Sequence, residues 1–486
     1  MLHEQGVLKA SVLSGRLNAL LQELLVRVNR RKGGGRGDLG AAVLTSSAQI
    51  VAFQGDEAEH LVGIQEGTRA VLRKEGLFEE NNLVISNDPF HGGTDLGSFL
   101  GLMPLYSAGQ PGAFLTLRLR ALDTGGAHPG FAEPTATQIY SEGQRVTPIV
   151  LARDKQVFGD VWRCLLSNNR MPHRLDADLG ALWQGLTWGC AELAAILRSE
   201  TSGTNSAESL QRLVRIKKDN AALRLEGEGI GQGGSSVSIG NACFTVRVEV
   251  QFVPHGKVRV AFTGSSPQLP APFNSPLVRT AATTLKTLAS HWDLTSTEDL
   301  VGLLNLIDLD APPASIVRPD FPAACSCSQP FTTFAIERAL QDALFQIAGD
   351  KRKPVSPPPF YMLVRKELTP LCPYEVHAEF GKAAFHTYYR GDEWLEFTSE
   401  TWARSLEETE WKFPLRWRSA ESCDGGLRME LDATAAVECS YVASGAYRIA
   451  ASADGEPEAS VRLKPWRPGN RLAFRVSEQG KVVNDD

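Results

Sequence analysis

Leucine and valine recur at intervals of three and four positions near the start of the chain. Between residues 8 and 29 this spacing places them on one face of a helix, at Leu13, Leu17, Leu20, Leu21, Leu24, Leu25 and Val28. A glycine run from Gly33 predicts the end of this helix, because glycine has a low helix propensity. The same spacing predicts further helices at 62–75, 157–166, 176–198, 280–288 and 333–347, and another after residue 207.

A period of two residues is found near the middle of the chain. Polar residues alternate there with Phe244, Val246, Val248, Val250 and Phe252, which is typical of a strand with one buried face, and 257–262 is its predicted hairpin partner. Short strands are predicted at 41–44, 49–53, 82–86, 114–119 and 144–151, and alternations after residue 360 predict further sheet. The predicted fold class is therefore α+β: a mixed, β-rich, multi-domain chain with helices packed on sheets.

Three domains are predicted from these patterns, in keeping with a length of 486 residues. The first covers 1–200, the second is β-rich and covers 201–355, and the third is β-rich and covers 356–486. A proline cluster at 354–359 is interpreted as a stiff connector before the third domain, because proline restricts the backbone.

Composition and charge exclude several classes of protein. The 50 Lys and Arg residues and 56 Asp and Glu residues give a formal net charge of −6, without a polybasic arm, which disfavours nucleic acid as a partner. A hydrophobic content of 43% excludes wholesale disorder. The sequence contains no run of about 18 apolar residues, which a predicted membrane span would require. The N-terminus also lacks the pattern of a signal peptide, so we expect a cytoplasmic protein.

The segment 87–95 concentrates reactive side chains directly after a predicted strand. Asp88, His91 and Asp95 surround Gly92 and Gly93 there, and glycine lets the backbone adopt conformations that are closed to other residues. Imidazole and carboxylate groups in this arrangement suit a divalent metal such as zinc or manganese. The alternative is a tight turn whose Asn and Asp side chains satisfy backbone N–H groups. Spacing alone leaves both interpretations open.

A second glycine pair follows Asp123 in the sequence Asp-Thr-Gly-Gly at 123–126. Its position resembles that of the pair after His91, so both loops could bring a ligand close to the backbone. The alternative is a glycine-rich hairpin without a ligand.

Several segments resemble, in order and spacing, the motifs of the hydantoinase B/oxoprolinase family. The segment 87–94, Asn-Asp-Pro-Phe-His-Gly-Gly-Thr, is similar to the signature loop of this family, which includes the B-type subunits of ATP-dependent hydantoinases, 5-oxoprolinase, caprolactamase and the acetone and acetophenone carboxylases. Further similar segments are Asp-Thr-Gly-Gly at 123–126, Ile-Tyr-Ser-Glu-Gly at 139–143, Asn-Asn-Arg-Met-Pro at 168–172 and Phe-Thr-Gly-Ser-Ser-Pro-Gln at 262–268. The ordered matches extend to about residue 350.

The resemblance implies a division of labour between subunits. An A-type subunit binds ATP and phosphorylates an amide or carbonyl oxygen, and the B-type subunit completes hydrolysis or carboxylation at a metal-assisted site. The segment 33–38 lacks the Lys-Ser/Thr ending of a phosphate loop, so ATP is expected only on the partner subunit. The implied cofactor is a divalent metal (Zn, Mn or Mg), and the implied partners are an A-type subunit and, in some assemblies, a second B-type subunit.

The chain departs from the family pattern at two positions. Family members read Gly-Gly-Thr-His where this chain has Asp95, and His-x-x-Asp where it has Arg120 followed by Asp123. The resemblance implies Asp38, Asp95 and Asp123 as metal ligands, with His91 and Asp88 as catalytic residues. Asp95 would favour a harder ion such as manganese or magnesium, whereas a guanidinium stays protonated and does not ligate a cation.

Two hypotheses follow from the resemblance and these departures. The first is a hydrolase subunit of the 5-oxoprolinase or hydantoinase type, or of a related ketone carboxylase, in which a metal activates water and His91 acts as ligand or proton carrier. The second is a catalytically degenerate scaffold or regulatory subunit, in which Arg120 holds the carboxylates together in place of the ion.

Overall fold

The computed structural model describes most of the first 348 residues and nine strands between 360 and 478. Residues 1, 34–37, 56, 75, 78, 108, 122, 128–132, 134, 155, 201–205, 226–227, 240–241, 254–255 and 349–359 lie outside the described residues, as do the segments that connect the last nine strands and the C-terminus. The predicted proline connector at 354–359 therefore also lies outside them. The domain boundaries at 200 and 355 stay a prediction.

A seven-stranded antiparallel sheet forms the N-terminal part, with the strand order β2-β1-β5-β4-β3-β6-β7. Its strands are β1 Leu39–Thr45, β2 Ile50–Gly55, β3 Leu83–Ser86, β4 Ser98–Ser107, β5 Gln110–Arg120, β6 Ile149–Arg153 and β7 Gln156–Val157. The helices of this part are α1 Leu2–Asn29, α2 Ala58–Leu72, α3 Gly159–Ser167, α4 Pro172–Glu200 and α5 Ser206–Ala222.

Helices cover both faces of this sheet. Successive side chains of a strand point to opposite faces, and apolar side chains on both faces have to be buried. Leu115 and Leu117 on one face of β5 pack in a core with α1 and α4. Phe114, on the other face, belongs to a second core that includes Leu61 and Ile64 of α2. The long apolar strands of this sheet are therefore buried on both sides.

A four-stranded sheet follows, with the order β11-β10-β9-β8 and one parallel pair, β10 with β11. Its strands are β8 Gly229–Ile239, β9 Ala242–Val253, β10 Lys257–Ala261 and β11 Ile307–Asp310, and its helices are α6 Leu277–His291, α7 Thr297–Leu304 and α8 Ser328–Ala348. Val246 and Leu340 of this part share one core with Leu44 of the first sheet. The packing thus continues across residue 200.

The strands described from residue 360 onwards form two sheets. The five-stranded sheet has the order β13-β14-β12-β17-β19 and the four-stranded sheet the order β15-β16-β20-β18. The strands are β12 Phe360–Glu367, β13 His386–Tyr389, β14 Asp392–Thr398, β15 Leu415–Cys423, β16 Gly426–Ala433, β17 Val437–Ala443, β18 Tyr447–Ala451, β19 Lys464–Trp466 and β20 Arg471–Glu478. The α+β class and the β-rich C-terminal part are confirmed. None of the helices described in the chain combines the length and hydropathy needed to cross a bilayer.

The predicted helices and most predicted strands are present, with boundaries that shift by a few residues. The predicted strand at 144–151 is wrong in its first half, because β6 begins only at Ile149. The preceding backbone is held instead by Asn87, whose side chain donates to the carbonyl of Gln144 (3.0 Å) and accepts from the N–H of Val146 (2.6 Å). Tertiary hydrogen bonds therefore replace strand pairing there.

Strand β8 was not predicted, because its first half is rich in glycine, a residue with low strand propensity. The glycines serve close packing on α8. A side chain at Gly231 or Gly233 would overlap the carbonyl oxygen of Ala343 or Ala339, respectively. Gly234 points away from α8, and the nearest atom to a side chain there is the carbonyl oxygen of Val246, at 3.8 Å.

We expect Gly233→Ala to lower the free energy of unfolding by about 1–3 kcal/mol or more, because a Cβ atom cannot fit against the α8 backbone. The matched control Gly234→Ala should change it by no more than about 1 kcal/mol. Urea denaturation of both variants measures the difference. Equal stability of the two variants would contradict the packing of β8 on α8.

Candidate functional site

Asp38 immediately precedes β1, and its two carboxylate oxygens contact a guanidinium and an imidazole. Its Oδ2 accepts from Nε of Arg120 at 2.6 Å, and its Oδ1 lies 2.8 Å from Nε2 of His60. Arg120 is the last residue of β5, the strand paired with β1, and His60 lies in the first turn of α2. The pairing of neighbouring strands therefore brings this carboxylate and this guanidinium together.

Asp95 lies in the loop before β4 and is bound on both of its oxygens. Its Oδ2 accepts from Nη2 of Arg120 at 3.0 Å and from Nη2 of Arg279 at 2.8 Å. Its Oδ1 accepts from the N–H of Gly97 at 2.9 Å and from the hydroxyl of Ser98 at 3.2 Å. A single guanidinium, that of Arg120, thus bridges Asp95 and Asp38.

Two further buried arginines complete this group. Arg279 of α6 also binds the Glu59 carboxylate, with Nε 3.1 Å from Oε1, and donates to the hydroxyl of Ser328 at 3.0 Å. Arg118 donates to the backbone carbonyl of Glu59 at 2.6 Å and to the hydroxyl of Thr94. We call this set the arginine–carboxylate cluster; its members are Asp38, Glu59, Asp95, Arg118, Arg120 and Arg279. Its three carboxylates and three guanidinium groups give a formal net charge of zero.

The charges of Asp38, Asp95, Arg120 and Arg279 stabilise one another. Burial alone would raise the pKa of Asp38 and Asp95, but the positive charge of Arg120, with that of Arg279 at Asp95, outweighs it, so both pKa values lie well below the ordinary range. Burial would likewise lower the pKa of Arg120, and the two carboxylates raise it instead. The carboxylates therefore stay ionised and Arg120 stays protonated at neutral pH, and the stability they contribute is lost only as the pH falls through the acid range.

The donor set of the cluster does not fit a metal ion. A guanidinium has no lone pair to offer, and that of Arg120 already occupies an oxygen of both Asp38 and Asp95. An incoming cation would have to displace it against charge repulsion. Within the described part of the chain, no group of three or more His, Cys, Asp or Glu side chains is arranged to hold a metal.

Asp123, the third predicted ligand, has a different set of contacts. Its carboxylate accepts from the N–H of Gly125 at 2.9 Å and from Nη1 of Arg170 at 3.2 Å, and its backbone carbonyl accepts from Asn169. The structure thus joins Asp38 and Asp95 through Arg120, whereas these hydrogen bonds tie Asp123 to the turn before α4.

Of the predicted catalytic pair, His91 ends a turn of 3₁₀ helix at Pro89–His91, and Asp88 caps the start of this turn. Asp88 is fully buried; its Oδ1 caps the turn by accepting from the N–H of Phe90 at 3.0 Å, and its Oδ2 lies 2.8 Å from Nδ1 of His91. The His91 side chain is 39% exposed. Asp88 therefore satisfies a backbone N–H group, as expected for a tight turn, and it also orients an accessible imidazole.

Comparison with known proteins identifies the family. A model described as Hydantoinase B/oxoprolinase matches residues 34–422. The chain belongs to this family. The segments 87–94 and 262–268, together with Asp95 and Arg120, all lie within the matched residues.

Two curated proteins are similar to parts of this family member. An uncharacterized protein of Methanocaldococcus jannaschii is 24% identical over 327 residues, which is 65% of this chain and 56% of that protein. The caprolactamase subunit beta of Pseudomonas jessenii is 26% identical over 204 residues, 40% of this chain and 34% of the subunit. The chain thus spans about half or less of the length of the curated relatives it matches.

Two solved structures have a similar fold. The crystal structure of the ATP-dependent caprolactamase from P. jessenii matches with a TM-score of 0.74 and 17% identity, covering 97% of this chain and 90% of that one. A nucleotide-free structure of acetone carboxylase, from work on ATP-dependent acetone carboxylation, matches with a TM-score of 0.73 and 12% identity, covering 98% of this chain and 75% of that one. At these identities the likeness concerns the fold.

A buried glutamate in the family segment 139–143 is a further candidate functional residue. Oε1 of Glu142 accepts from the backbone N–H groups of Cys325 and Ser326, each at 2.7 Å, and the Cys325 thiol lies 3.7 Å from Oε2. Burial raises the pKa of Glu142 to about 8, although the hydrogen bonds from Ser326 and Cys325 act in the opposite direction. Burial also raises the pKa of the Cys325 thiol. Burial thus favours the protonated form of this carboxyl.

Sequence reasoning missed Glu59, Arg118 and Arg279 as members of the cluster. One signal was available: Arg118 and Arg120 are two residues apart in an otherwise apolar strand, so they share one face, and two arginines on a buried face require partners. Glu59 and Arg279 carry no such signal, because their partners come from elements that are distant in sequence.

We expect stability to fall between about pH 5 and pH 8 because of Glu142. The folded protein holds this proton up to about pH 8, whereas the carboxyl of the unfolded chain loses it near its ordinary pKa of 4.5, so the contribution is lost as the pH rises through that window. The slope from one proton is at most about 1.4 kcal/mol per pH unit. Urea denaturation at several pH values should show this slope in the native protein and a flatter one in Glu142→Gln.

The matched control is Glu192→Gln, on the exposed face of α4, which should keep the slope of the native protein. An unchanged slope in Glu142→Gln would contradict the role given to this carboxyl.

Proposed function

We propose that this chain is a B-type subunit of an ATP-dependent complex of the amide- and lactam-processing type, and that it serves there as a scaffold or regulatory subunit. Family membership and the fold shared with caprolactamase support the first part. The observation that carries the second part is the position of Arg120, whose guanidinium binds Asp38 and Asp95 at 2.6 and 3.0 Å.

The energetics of buried charge favour this arrangement over an exchangeable metal. Removing one partner of a buried ion pair costs about 3–5 kcal/mol, since it leaves a charge without compensation. Arg120 and Asp95 are both mostly buried, with side chains 15% and 7% exposed. Arg279 supplies a second positive charge to the same Asp95 oxygen, at 2.8 Å. The carboxylates are therefore already neutralised by the chain itself.

The partner in this proposal is an A-type subunit that binds ATP. The sequence contains no phosphate loop ending in Lys-Ser/Thr, so the nucleotide belongs to the other subunit. A second B-type subunit that keeps both family histidines would supply the chemistry that the arginine–carboxylate cluster does not support.

We expect the purified protein, alone or with its A-type partner, to contain far less than one divalent ion per chain. The double variant Asp95→His/Arg120→His restores the residues expected from the family pattern and should create affinity for about one zinc or manganese ion per chain. It removes the Arg120 guanidinium and adds two imidazole ligands, while Arg279 stays paired with Glu59. Elemental analysis after dialysis against each metal measures the metal content of the native protein and of the double variant.

The single variant Arg120→Lys is the matched control, because it keeps a positive charge between the carboxylates and should stay free of metal. Circular dichroism verifies that each variant is folded. The scaffold proposal is overturned if the native protein holds one metal ion per chain and the variant Asp95→Ala loses it. This measurement does not require the double variant to fold.

A second candidate function, a hydrolase subunit, is favoured by His91. Asp88 binds Nδ1 of this residue at 2.8 Å, so that the imidazole is oriented and its Nε2 lies on the opposite edge of the ring. A carboxylate-oriented imidazole with an accessible nitrogen is suited to carry a proton to or from a substrate. In this candidate, His91 is the proton carrier and Asp88 the positioning residue for a cyclic amide activated by the A-type subunit.

For the hydrolase candidate, His91→Gln is expected to lower turnover of a cyclic amide by the purified complex at least about 100-fold, as for loss of a general acid or base. Arg163→Met, at an exposed arginine of α3, is the control. Steady-state assays with ATP present measure the turnover of both variants. A loss smaller than about threefold would rule out His91 as the proton carrier.

A further inference from the structure

We infer that the exposed side of the signature loop is a binding site for a small oxyanion, a phosphate or a carboxylate, that carries an apolar or aromatic group. The site consists of His91, Arg145, Phe321 and Tyr140, with Asp88 beneath them. It shares no residue with the arginine–carboxylate cluster, and it does not depend on the scaffold function.

One buried carboxylate oxygen holds two potential donors side by side. Oδ2 of Asp88 lies 2.8 Å from Nδ1 of His91 and 3.3 Å from Nη1 of Arg145. Asp88 is fully buried, whereas the His91 and Arg145 side chains are 39% and 26% exposed. The carboxylate therefore fixes both groups from below while their outer edges face solvent.

Most of the hydrogen-bonding capacity of these two side chains is unused. A guanidinium has five N–H donors, and Arg145 commits one of them to Asp88. The imidazole of His91 commits only Nδ1. In the described part of the chain neither side chain makes a further hydrogen bond, so Nε2 of His91 and the remaining N–H groups of Arg145 are left for a ligand.

One aromatic ring lies against the guanidinium, and two further rings contact that ring. Cζ of Arg145 lies 4.0 Å from the ring centroid of Phe321, a stacked position that fixes the guanidinium plane. The edges of Phe90 and Tyr140 contact Phe321, each with a centroid separation of 5.6 Å. Phe321 is 41% exposed and Tyr140 65% exposed, so two of the rings offer apolar surface beside the donors.

This combination selects the class of ligand. Pre-oriented guanidinium and imidazole groups recognise oxyanions, and a group already held by stacking and an ion pair loses less entropy on binding. The Asp88 charge does not oppose an anion strongly, because it is buried and paired with the Arg145 guanidinium. The adjacent rings favour an apolar substituent on the oxyanion.

The size of the site favours a small molecule over a protein partner. Only four exposed or half-exposed side chains form it, whereas a stable protein interface buries about 800 Å² on each partner. Phosphate and carboxylate ligands share the chemistry that the donors recognise, and the choice of probe separates them.

We propose to test the site by isothermal titration calorimetry with phenyl phosphate, inorganic phosphate and benzoate as probes. Saturable binding of phenyl phosphate or benzoate is expected, with the tighter of the two identifying the preferred oxyanion. Arg145→Met should weaken binding at least about tenfold, since it removes the charge but keeps an apolar stem. Phe321→Leu should weaken the binding of phenyl phosphate about threefold to tenfold and the binding of inorganic phosphate less than twofold.

The matched control is Arg163→Met, which removes an exposed arginine on α3 that is paired with Asp160 and should leave binding unchanged. His91→Gln provides a second variant at the donors and should weaken binding at least about threefold, so the test does not depend on Arg145→Met being folded. The inference is overturned if no probe binds saturably at about 10 mM. It is also overturned if the variants at Arg145 and His91 bind like the native protein, or if Arg163→Met weakens binding as much as they do.

Discussion

The bridge formed by Arg120 between Asp38 and Asp95 is the interaction on which the candidate site depends. Charges removed from water are stable only when they are compensated. Here the compensation comes from the chain itself: β5 supplies Arg120, the residue before β1 is Asp38, and the loop before β4 supplies Asp95. Both carboxylates are thereby neutralised by a guanidinium of the same chain, within a fold that belongs to the family.

The same charges connect the two parts of the chain on either side of residue 200. Arg279 reaches from α6 to Asp95 and to Glu59, and its contact with Ser328 continues the network to α8. Glu142 makes a second connection, to the backbone of Cys325. Polar networks of this kind are stable only when every member is satisfied. The architecture around the site is therefore specified by electrostatics as well as by the shared apolar core.

The signature loop has two chemically different sides. On the inner side, the loop ends in Asp95, whose oxygens are saturated by protein donors. On the outer side, Asp88 orients His91 and Arg145, which keep donors for a ligand. The inner side is closed by complementary charge and the outer side is accessible, so a function that involves a small ligand is better placed on the outer side.

The sequence by itself determined the family, the α+β class and most elements, because hydrophobic periodicity and short glycine-rich motifs are local properties. It also singled out Asp38 as a candidate ligand and Asp95 and Arg120 as departures from the family pattern, and the pairing of Asp88 with His91 is local enough to follow from the turn. It did not predict β8, whose glycines are explained only by their contact with α8. Nor did it predict Glu59 and Arg279, or the exposed grouping of Arg145 with Phe321. Only the tertiary structure decided these, because the partner of a buried charge or a stacked ring is set by which distant elements pack together.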